Sequence, residues 1–166
     1  MSHSPFLVLA TINELGQMDA SPRGGSPGFV KAANDTRVVI PDQKGNNRID
    51  SLVNIAKTGQ AGLLMMIPGI DETLRINGKA IVTQDPELLS LFKNEEKPPI
   101  TCIVLTVEEV FLHCAKAFMR SRLWDISQHV DTESFPTMGQ MLKDQLKSKE
   151  EPESREDMIE RYLKNL

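Results

Sequence analysis

Apolar positions along the chain form six short runs that alternate with polar residues or are rich in Val, Ile and Thr. The runs cover residues 5–12, 17–21, 36–41, 60–67, 74–83 and 100–111. A period of two with β-branched residues is typical of strands that bury one face of a sheet. The segment Asn-Glu-Leu-Gly at 13–16 joins the first two runs, so the pattern predicts a β-hairpin there.

A helical period appears where apolar residues recur three and four positions apart. After the polar segment 42–47, the residues at this spacing are Ile49, Leu52, Val53, Ile55 and Ala56. They predict a helix with Asn46 or Asn47 as its N-cap. Asp85 and Pro86 are typical of a cap and a first helical position, which predicts a second, short helix over 87–92.

The composition changes at residue 125, where the strand-like runs have ended. Residues 138–146 have the pattern of an amphipathic helix, and a charged linker follows at 147–152. Ser154 with Asp157 three positions later predicts the start of a last helix. We therefore divide the chain into 1–124 and a helical extension, 125–166, which we expect to pack on the first part or on a dimer partner.

The order of these elements predicts the fold class. Six strands are joined mainly by short turns, and helices are inserted between a few of them instead of alternating with each strand. A doubly wound α/β fold would need helices between nearly all strands. The pattern therefore predicts a mainly β (α+β) protein, a six-stranded antiparallel barrel with peripheral helices and a helical C-terminal tail.

Charge and cysteine content narrow the classes of function. The chain has 166 residues, a formal net charge of −4 and two cysteines without a C-x-x-C pair. A mildly acidic charge balance argues against general binding of nucleic acids or anionic membranes, which needs a basic face, and is compatible with a local basic pocket for one phosphate. The longest apolar run, 61–68, is too short to span a bilayer, and residues 1–10 lack the basic start of an export signal. We expect a cytoplasmic protein with no nucleic-acid or membrane partner and no zinc site.

The glycine-rich segment 24–28, Gly-Gly-Ser-Pro-Gly, matches the G-x-S-x-G pattern of a hydrolase nucleophile elbow. That elbow needs a following helix and uses the backbone N–H after the serine as part of its oxyanion hole. Here the residue after Ser26 is Pro27, which has no N–H. The segment therefore predicts a turn between strands.

The segment 42–51 contains cationic and amide side chains next to the predicted N-terminus of the first helix. It contains Lys44, Asn46, Asn47, Arg48 and Ser51. Free N–H groups and the positive end of the helix dipole favour an anion at such a place, and an arginine adds a bidentate donor. The alternative is a solvated loop with an ordinary cap.

Two other segments carry cations. Arg23 follows a predicted strand beside two glycines, and it is either a ligand contact or part of a turn. Lys116 and Arg120 share one face of a predicted short helix that precedes Trp124, where the alternative is a solvated basic face with a core tryptophan. Cys114 follows His113 without a third partner in sequence, so we expect a buried structural thiol.

Several linked motifs resemble one known family in order and spacing. They are S-P-F-L-V-L-A-T at 4–11, D-A-S-P-R-G-G at 19–25, P-G-F-V at 27–30, I-P-D-Q-K-G-N-N-R-I-D-S-L-V-N-I at 40–55, G-L-L-M-M-I-P-G at 62–69, E-T-L-R-I-N-G-K-A at 72–80 and V-E-E-V-F-L-H-C-A-K-A-F-M-R-S-R-L-W at 107–124. Over residues 4–124 the chain resembles the FMN-dependent pyridoxamine 5′-phosphate oxidase-like proteins, in particular a bacterial subgroup of them.

The resemblance implies a split β-barrel whose homodimer forms two FMN sites at the subunit interface. It places the flavin along the strand that ends at Arg23 and beside the backbone of the next strand, the phosphate at the start of the helix, and the ribityl chain near a later strand. The basic segment with the tryptophan would complete the site, in one interpretation from the partner subunit. The residues that it assigns to the cofactor are Ser21, Arg23, Ile40, Pro41, Asp42, Lys44, Asn47, Arg48, Ser51, Thr73, Arg75, Lys116, Arg120, Ser121 and Trp124.

The chain also departs from that family. The oxidases proper carry an Arg-x-x-Leu-x-Lys strand and a C-terminal Arg-Leu-x-Pro segment that handle pyridoxal phosphate, and this sequence has neither. The vitamin B6 substrate is therefore not predicted here. The resemblance implies an FMN-dependent oxidoreductase for another small molecule. The catalytic residues are left open, and the sequence identifies no clear general base, although His113 is considered. The alternatives are a non-catalytic flavin carrier or sensor, and a relative that uses F420 or haem.

Overall fold

The computed structural model of the chain describes residues 1–43 and 48–164. The chain divides into two compact units, Met1–Trp124 and Asp125–Leu166. The first unit contains seven strands, which are β1 (Phe6–Ile12), β2 (Met18–Gly24), β3 (Lys31–Asn34), β4 (Arg37–Pro41), β5 (Gln60–Ile67), β6 (Ile70–Thr83) and β7 (Cys102–His113). Its helices are α1 (Asp50–Thr58), α2 (Pro86–Leu89), which continues as a 3-10 turn over Ser90–Phe92, and α3 (Lys116–Ser121).

All seven strands belong to one antiparallel sheet with the order β2-β1-β5-β6-β7-β4-β3. The predicted α+β split-barrel class is confirmed, but the sheet has one strand more than the six predicted. The additional strand is β3, which pairs with β4 through a tight turn where the Thr36 N–H donates to the Asn34 side chain at 2.9 Å. Its sequence, Lys-Ala-Ala-Asn, has low intrinsic strand preference, so the pairing with β4 decides its conformation.

One face of the sheet forms the core of the first unit. In β1 and β5 the residues Leu7, Leu9, Leu63 and Met65 are buried, while the residues between them lie on the opposite face. Helix α1 covers the core face, and its Ile55 joins the same cluster. The alternation predicted from the sequence thus gives the sheet one face that forms the core and a second face that points away from it.

Helix α1 begins later than predicted. Its N-cap is Ile49, and the predicted caps Asn46 and Asn47 lie outside the described residues. The helix ends at Gly59, whose φ of 65° places it in the left-handed region and whose N–H donates to the Ile55 carbonyl at 2.8 Å. A glycine suits that end because it adopts positive φ without steric cost.

The 13–16 hairpin, the cap of α2 and the turn after Gly24 follow the predictions. The 13–16 hairpin is closed by the Asn13 N–H, which donates to the Gln17 carbonyl at 2.9 Å. The Asp85 carboxylate caps α2 by accepting from the Glu87 N–H at 2.9 Å. After Gly24 the chain enters a turn and then β3, not a helix, so the turn interpretation of the 24–28 segment is confirmed.

The second unit contains a 3-10 turn at Ile126–Gln128 and two helices, α4 (Met138–Leu146) and α5 (Arg155–Leu163). Hydroxyl groups cap both helices, Thr137 for α4 and the predicted Ser154 for α5. The Ser154 Oγ accepts from the Asp157 N–H at 3.1 Å. No helix among the described residues is long and apolar enough to cross a membrane.

Candidate functional site

A cleft of about 390 Å³ opens on the sheet face opposite the core. We call it the sheet cleft. Cross-strand pairing places residues of three adjacent strands side by side in it, because Val8 of β1 pairs with Leu64 of β5 and Leu64 pairs with Arg75 of β6. The residues that line it are Val8, Ala10, Gly62, Leu63, Leu64, Thr73, Arg75, Asn77, His113, Ala117 and Phe118.

Polar side chains of the sheet cleft come from β6 and β7. The Arg75 guanidinium lies over the ring of its cross-strand neighbour Phe111, with 4.9 Å from the guanidinium carbon to the ring centroid. Two residues further along β6, the Asn77 amide donates to the carboxylate of its cross-strand neighbour Glu109 at 2.9 Å. Thr73, opposite His113, is buried. The cleft therefore has a polar wall on β6–β7 and an apolar floor on β1–β5.

Helix α3 borders the same cleft, and the tryptophan that follows it packs on the helix. Phe118 stacks on Trp124, with ring centroids 5.5 Å apart and an interplanar angle of 25°. The Trp124 indole N–H donates to the Ile70 carbonyl at 3.0 Å, which ties this segment to the start of β6. Phe118 is thus held at the border of the cleft by a ring contact and an anchored neighbour.

A second, smaller pocket of about 210 Å³ lies where the edge strand β2 meets the start of α1. We call it the polar pocket. The residues that line it are Asp19, Ala20, Ser21, Pro22, Arg48, Asp50 and Ser51. Three of the predicted cofactor residues, Ser21, Arg48 and Ser51, therefore come together here from three segments of the chain.

Charges of both signs meet in the polar pocket. Arg48 forms an ion pair with Asp50, with 2.6 Å between the closest nitrogen and oxygen, and both side chains are more than half exposed. The Ser51 hydroxyl donates to the Asp19 carboxylate at 3.0 Å. Ile49 has no polar side chain that could cap the first turn of α1, so the N–H groups of that turn need other acceptors.

Other predicted cofactor residues surround the polar pocket or lie near β4. Arg23 donates to the Ser21 hydroxyl and, at 3.0 Å, to the Pro22 carbonyl. Ile40 and Pro41 are buried in β4 and line neither pocket. The Asp42 carboxylate accepts from the Thr101 hydroxyl at 3.0 Å.

The predicted residues of α3 line neither pocket. The Arg120 side chain donates to the Lys116 carbonyl at 3.1 Å, and the Ser121 hydroxyl donates to the Phe118 carbonyl at 3.1 Å. These contacts are internal to the helix. Lys44 and Asn47 lie outside the described residues.

Of the eleven residues that line the sheet cleft, only Thr73 and Arg75 were among the predicted cofactor residues; the polar or aromatic ones that were not are Asn77, His113 and Phe118. The signal that could have found Asn77 is the period of two in β6, which puts it on the same face as Thr73 and Arg75. His113 joins them only through the pairing of β6 with β7. A single strand carries no information about that register.

The two cysteines differ in their surroundings. Cys102 is buried in a small cluster with Phe92, and burial, together with the Asp85 carboxylate, raises the pKa of its thiol. Cys114 is exposed, so the prediction of a buried thiol there was wrong. It follows His113, the last residue of β7, and precedes α3; His113 is exposed as well, and Ala115 is half-buried.

Comparisons with known proteins agree with the fold. Solved structures that resemble this chain include HupZ of Group A Streptococcus, with 14% identity and a TM-score of 0.53 over 65% of this chain and 84% of that chain. An FMN-binding protein from Syntrophomonas wolfei subsp. wolfei has 11% identity and a TM-score of 0.53 over 68% of this chain and 79% of that chain. PhzG from Burkholderia lata 383, in complex with tetrahydrophenazine-1-carboxylic acid, has 14% identity and a TM-score of 0.51 over 66% and 69%.

Sequence comparison identifies the family. No curated protein matches the chain. The family model described as pyridoxamine 5′-phosphate oxidase matches residues 1–114, which is more than half of the 166 residues. This protein therefore belongs to the pyridoxamine 5′-phosphate oxidase family.

Proposed function

We propose that the protein is an FMN-dependent oxidoreductase that acts on a small molecule, with the cofactor phosphate bound in the polar pocket. The observation that carries the proposal is the meeting of Ser21, Arg48 and Ser51 in this pocket. These are residues that the family resemblance assigns to FMN, and they come from β2, the segment before α1, and α1 itself.

The chemistry of the polar pocket suits a phosphate ester. The Arg48 guanidinium offers several N–H donors in one plane, which phosphate oxygens accept in pairs. The first turn of α1 adds backbone N–H groups that its N-cap residue leaves unsatisfied. Asp50 competes for Arg48, so a bound phosphate replaces this carboxylate as the partner of the guanidinium.

Further residues would hold the rest of the cofactor. Arg23, beside Ser21 on β2, adds positive charge where negative charge develops on reduction. Ile40, Pro41 and Asp42 at the end of β4 belong to the proposed set through the family resemblance; the Asp42 N–H donates to the Thr101 carbonyl at 3.0 Å. The chemistry that FMN supplies when bound is acceptance of a hydride and return of the electrons to an acceptor. Lys44 and Asn47 belong to the same proposed set.

We further propose a homodimer with the cofactor at the subunit interface. Lys116, Arg120, Ser121 and Trp124 would complete the site of the other protomer. The proposal is supported by the absence of Lys116, Arg120 and Ser121 from the lining of either described pocket of their own protomer. It is also supported by exposed apolar side chains at the end of β7, Val110 and Leu112.

The first test is the absorption spectrum of the purified protein, followed by identification of the cofactor released on denaturation. We expect oxidised flavin bands and free FMN. In Arg48→Ala the FMN affinity should fall by about tenfold or more, because one charge-assisted contact to phosphate is lost. Arg37→Ala is the matched control, since Arg37 is an exposed β4 residue outside both pockets.

The outcomes of this test separate the alternatives. A colourless protein that does not take up added FMN would overturn the proposal. An unchanged FMN affinity in Arg48→Ala would show that the phosphate lies elsewhere. Bound FMN without turnover of any reductant under air would favour a flavin carrier or sensor. Bands of haem or of a deazaflavin would identify another cofactor.

A further inference from the structure

One face of the edge strand β2 carries three polar side chains in a row. Asp19, Ser21 and Arg23 are half-buried, while the residues between them are exposed. A period of two puts the three side chains on the same side of the strand. Asp19 and Ser21 line the polar pocket together with Ser51 of α1. Of the three residues in the row, only Asp19 is not assigned to the cofactor by the family resemblance.

The two serine hydroxyls of the polar pocket differ in where their protons can go. A hydroxyl group has one proton to donate and two lone pairs that accept. The Ser51 hydroxyl donates its proton to the Asp19 carboxylate at 3.0 Å, so this proton is not available to a phosphate oxygen. The Ser21 oxygen instead accepts from Arg23. Within the described part of the chain no group accepts the Ser21 proton, which leaves it available to a ligand in the pocket.

A second contact between α1 and the first hairpin lies beside the contact of Ser51 with Asp19. Asn54, three residues after Ser51 and on the same face of α1, donates to the Thr11 hydroxyl at 3.0 Å. Thr11 and Asp19 are cross-strand partners in β1 and β2. Ser51, Asn54 and Thr11 are buried, so water competes little with these contacts. The two contacts hold the first turn of α1, which carries the N–H groups proposed for the phosphate, against β2.

The charge and the hydrogen bond of Asp19 have opposite effects on a phosphate in the polar pocket. The charge repels a phosphate, because both groups are negative. The hydrogen bond from Ser51 holds the start of α1 at the pocket, and a bond to a carboxylate is stronger than one between neutral groups. An amide in place of the carboxylate removes the charge and keeps an oxygen that accepts from Ser51. Substitutions can therefore separate the two effects.

We propose that Asp19 is a positioning residue of the cofactor site. It accepts the Ser51 proton and so holds the first turn of α1 against β2. Ser21, whose oxygen accepts from Arg23, is then the hydroxyl that donates to the phosphate. Asp19 acts through Ser51 and does not itself bind the cofactor. The inference rests on the proposed function, because a phosphate in the polar pocket is part of that proposal.

Titration of the full-length apoprotein with FMN and with riboflavin, which lacks the phosphate, tests the positioning role. Flavin fluorescence gives both dissociation constants. We expect Asp19→Asn to bind FMN at least as tightly as the unaltered protein, because the repulsion is removed and Ser51 keeps an acceptor. Asp19→Ala should bind FMN about fivefold more weakly than Asp19→Asn, as for loss of one hydrogen bond, with riboflavin affinity unchanged. Equal FMN affinities of the two variants would overturn the proposal.

A double-mutant cycle shows whether Asp19 acts through Ser51. In a Ser51→Ala background the difference in FMN affinity between Asp19→Asn and Asp19→Ala should vanish, since no hydroxyl remains to donate. A difference that persists there would overturn the proposal. Asp35→Asn and Asp35→Ala, in the exposed turn between β3 and β4, are the matched controls and should leave both flavin affinities unchanged.

A purely structural role of Asp19 gives a different result. It would lower the melting temperature of Asp19→Ala while the ratio of FMN to riboflavin affinity equals that of Asp19→Asn, and this outcome overturns the proposal. Ser21→Ala should weaken FMN binding and leave riboflavin binding unchanged. An unchanged FMN affinity in Ser21→Ala would overturn the assignment of Ser21 as the donor.

Failure of the proposed function is distinguishable from failure of this inference. A protein that binds neither FMN nor riboflavin overturns both. A protein that binds FMN, and binds it more weakly in Arg48→Ala, supports the phosphate site. If Asp19→Asn and Asp19→Ala then bind FMN equally, only the positioning role is overturned.

Discussion

Two arginines on neighbouring parts of the first unit show how the surroundings decide what a cation can do. Arg48 lies beside Asp50 in a polar, exposed pocket, so its charge is already shared with a carboxylate. Arg75 lies against an aromatic ring above an apolar floor. The same side chain is therefore paired with a carboxylate in one place and stacked on an aromatic ring in the other.

The competition between Asp50 and phosphate leads to a prediction at the residue scale. Asp50→Asn removes a negative charge next to Arg48, so FMN should bind about two- to fivefold more tightly, the range expected for an exposed ion pair. Asp50 also lies in the first turn of α1, where an acidic residue interacts favourably with the helix dipole, so Asp50→Asn should in addition lower the stability of the helix slightly.

The measurement is the dissociation constant of FMN from flavin fluorescence during titration of the apoprotein. Asp35→Asn, in the exposed turn between β3 and β4, controls for the change in net charge. Weaker FMN binding in Asp50→Asn would mean that Asp50 orients Arg48 instead of competing for it.

At the scale of elements, buried polar contacts position the helix that begins at the polar pocket. The Asn54 amide of α1 donates to the buried Thr11 hydroxyl of β1 at 3.0 Å, and Ser51 contacts Asp19 of β2. Buried polar groups are costly unless they are paired, so these contacts permit few alternative positions of the helix. The start of α1 is thereby fixed relative to β2.

In the second unit, a residue of α5 contacts the residue that precedes the N-cap of the same helix. Arg161 donates to both carboxylate oxygens of Glu153, at 2.9 and 2.7 Å, and this hydrogen bonding lowers the pKa of Glu153. A carboxyl group whose pKa is lower in the folded state stabilises the fold above its unfolded pKa. That stabilisation is lost as the pH falls through the lowered folded pKa.

We therefore predict that the Glu153 carboxyl titrates at a lower pH in the unaltered protein than in Arg161→Gln. Carbon-detected NMR of the side-chain carboxyl measures both midpoints. Arg155→Gln is the control, since Arg155 donates to the Thr132 and Phe135 carbonyls and not to Glu153. Equal midpoints in the unaltered protein and Arg161→Gln would contradict the prediction.

At the scale of the whole molecule, the buried core is concentrated in one unit. The buried apolar residues of the described chain all lie between Leu7 and Leu105, within Met1–Trp124. Helices α4 and α5 have nine residues each and no buried residue. Helices of that length are marginal in water without tertiary contacts. Packing of 125–166 on the first unit or on a dimer partner stays a prediction.

This distribution predicts different behaviour of the two parts in isolation. A fragment of residues 1–124 should fold and unfold cooperatively, because it contains all seven strands and the core. The isolated peptide 125–166 should show only weak helical circular dichroism. Thermal melts of both fragments beside the full chain measure this.

Sedimentation of the same samples reports on the proposed dimer and on the tail. We expect the full chain to sediment with twice the mass of one chain. A non-cooperative melt of the 1–124 fragment would show that the core depends on the tail, contrary to the prediction.

Local chemistry was readable from the sequence alone. The alternation in β1 and β5, the caps at Asp85 and Ser154, and Pro27 in the place of an oxyanion-hole donor each depend on residues a few positions apart. Such short-range effects act in the same way whatever the rest of the chain does. The family motifs likewise run in order along the sequence, which is why the fold class could be predicted.

Only the tertiary structure decided which residues meet. Arg75 and Phe111 are 36 positions apart and become neighbours through the register of β6 with β7. Ser51 reaches Asp19 because buried contacts fix α1 against the sheet. Strand β3 forms because β4 offers a partner, and Cys102 is buried whereas Cys114 is exposed, a difference that neither local segment encodes. Register and packing are properties of the paired elements together, so no single segment of sequence contains them.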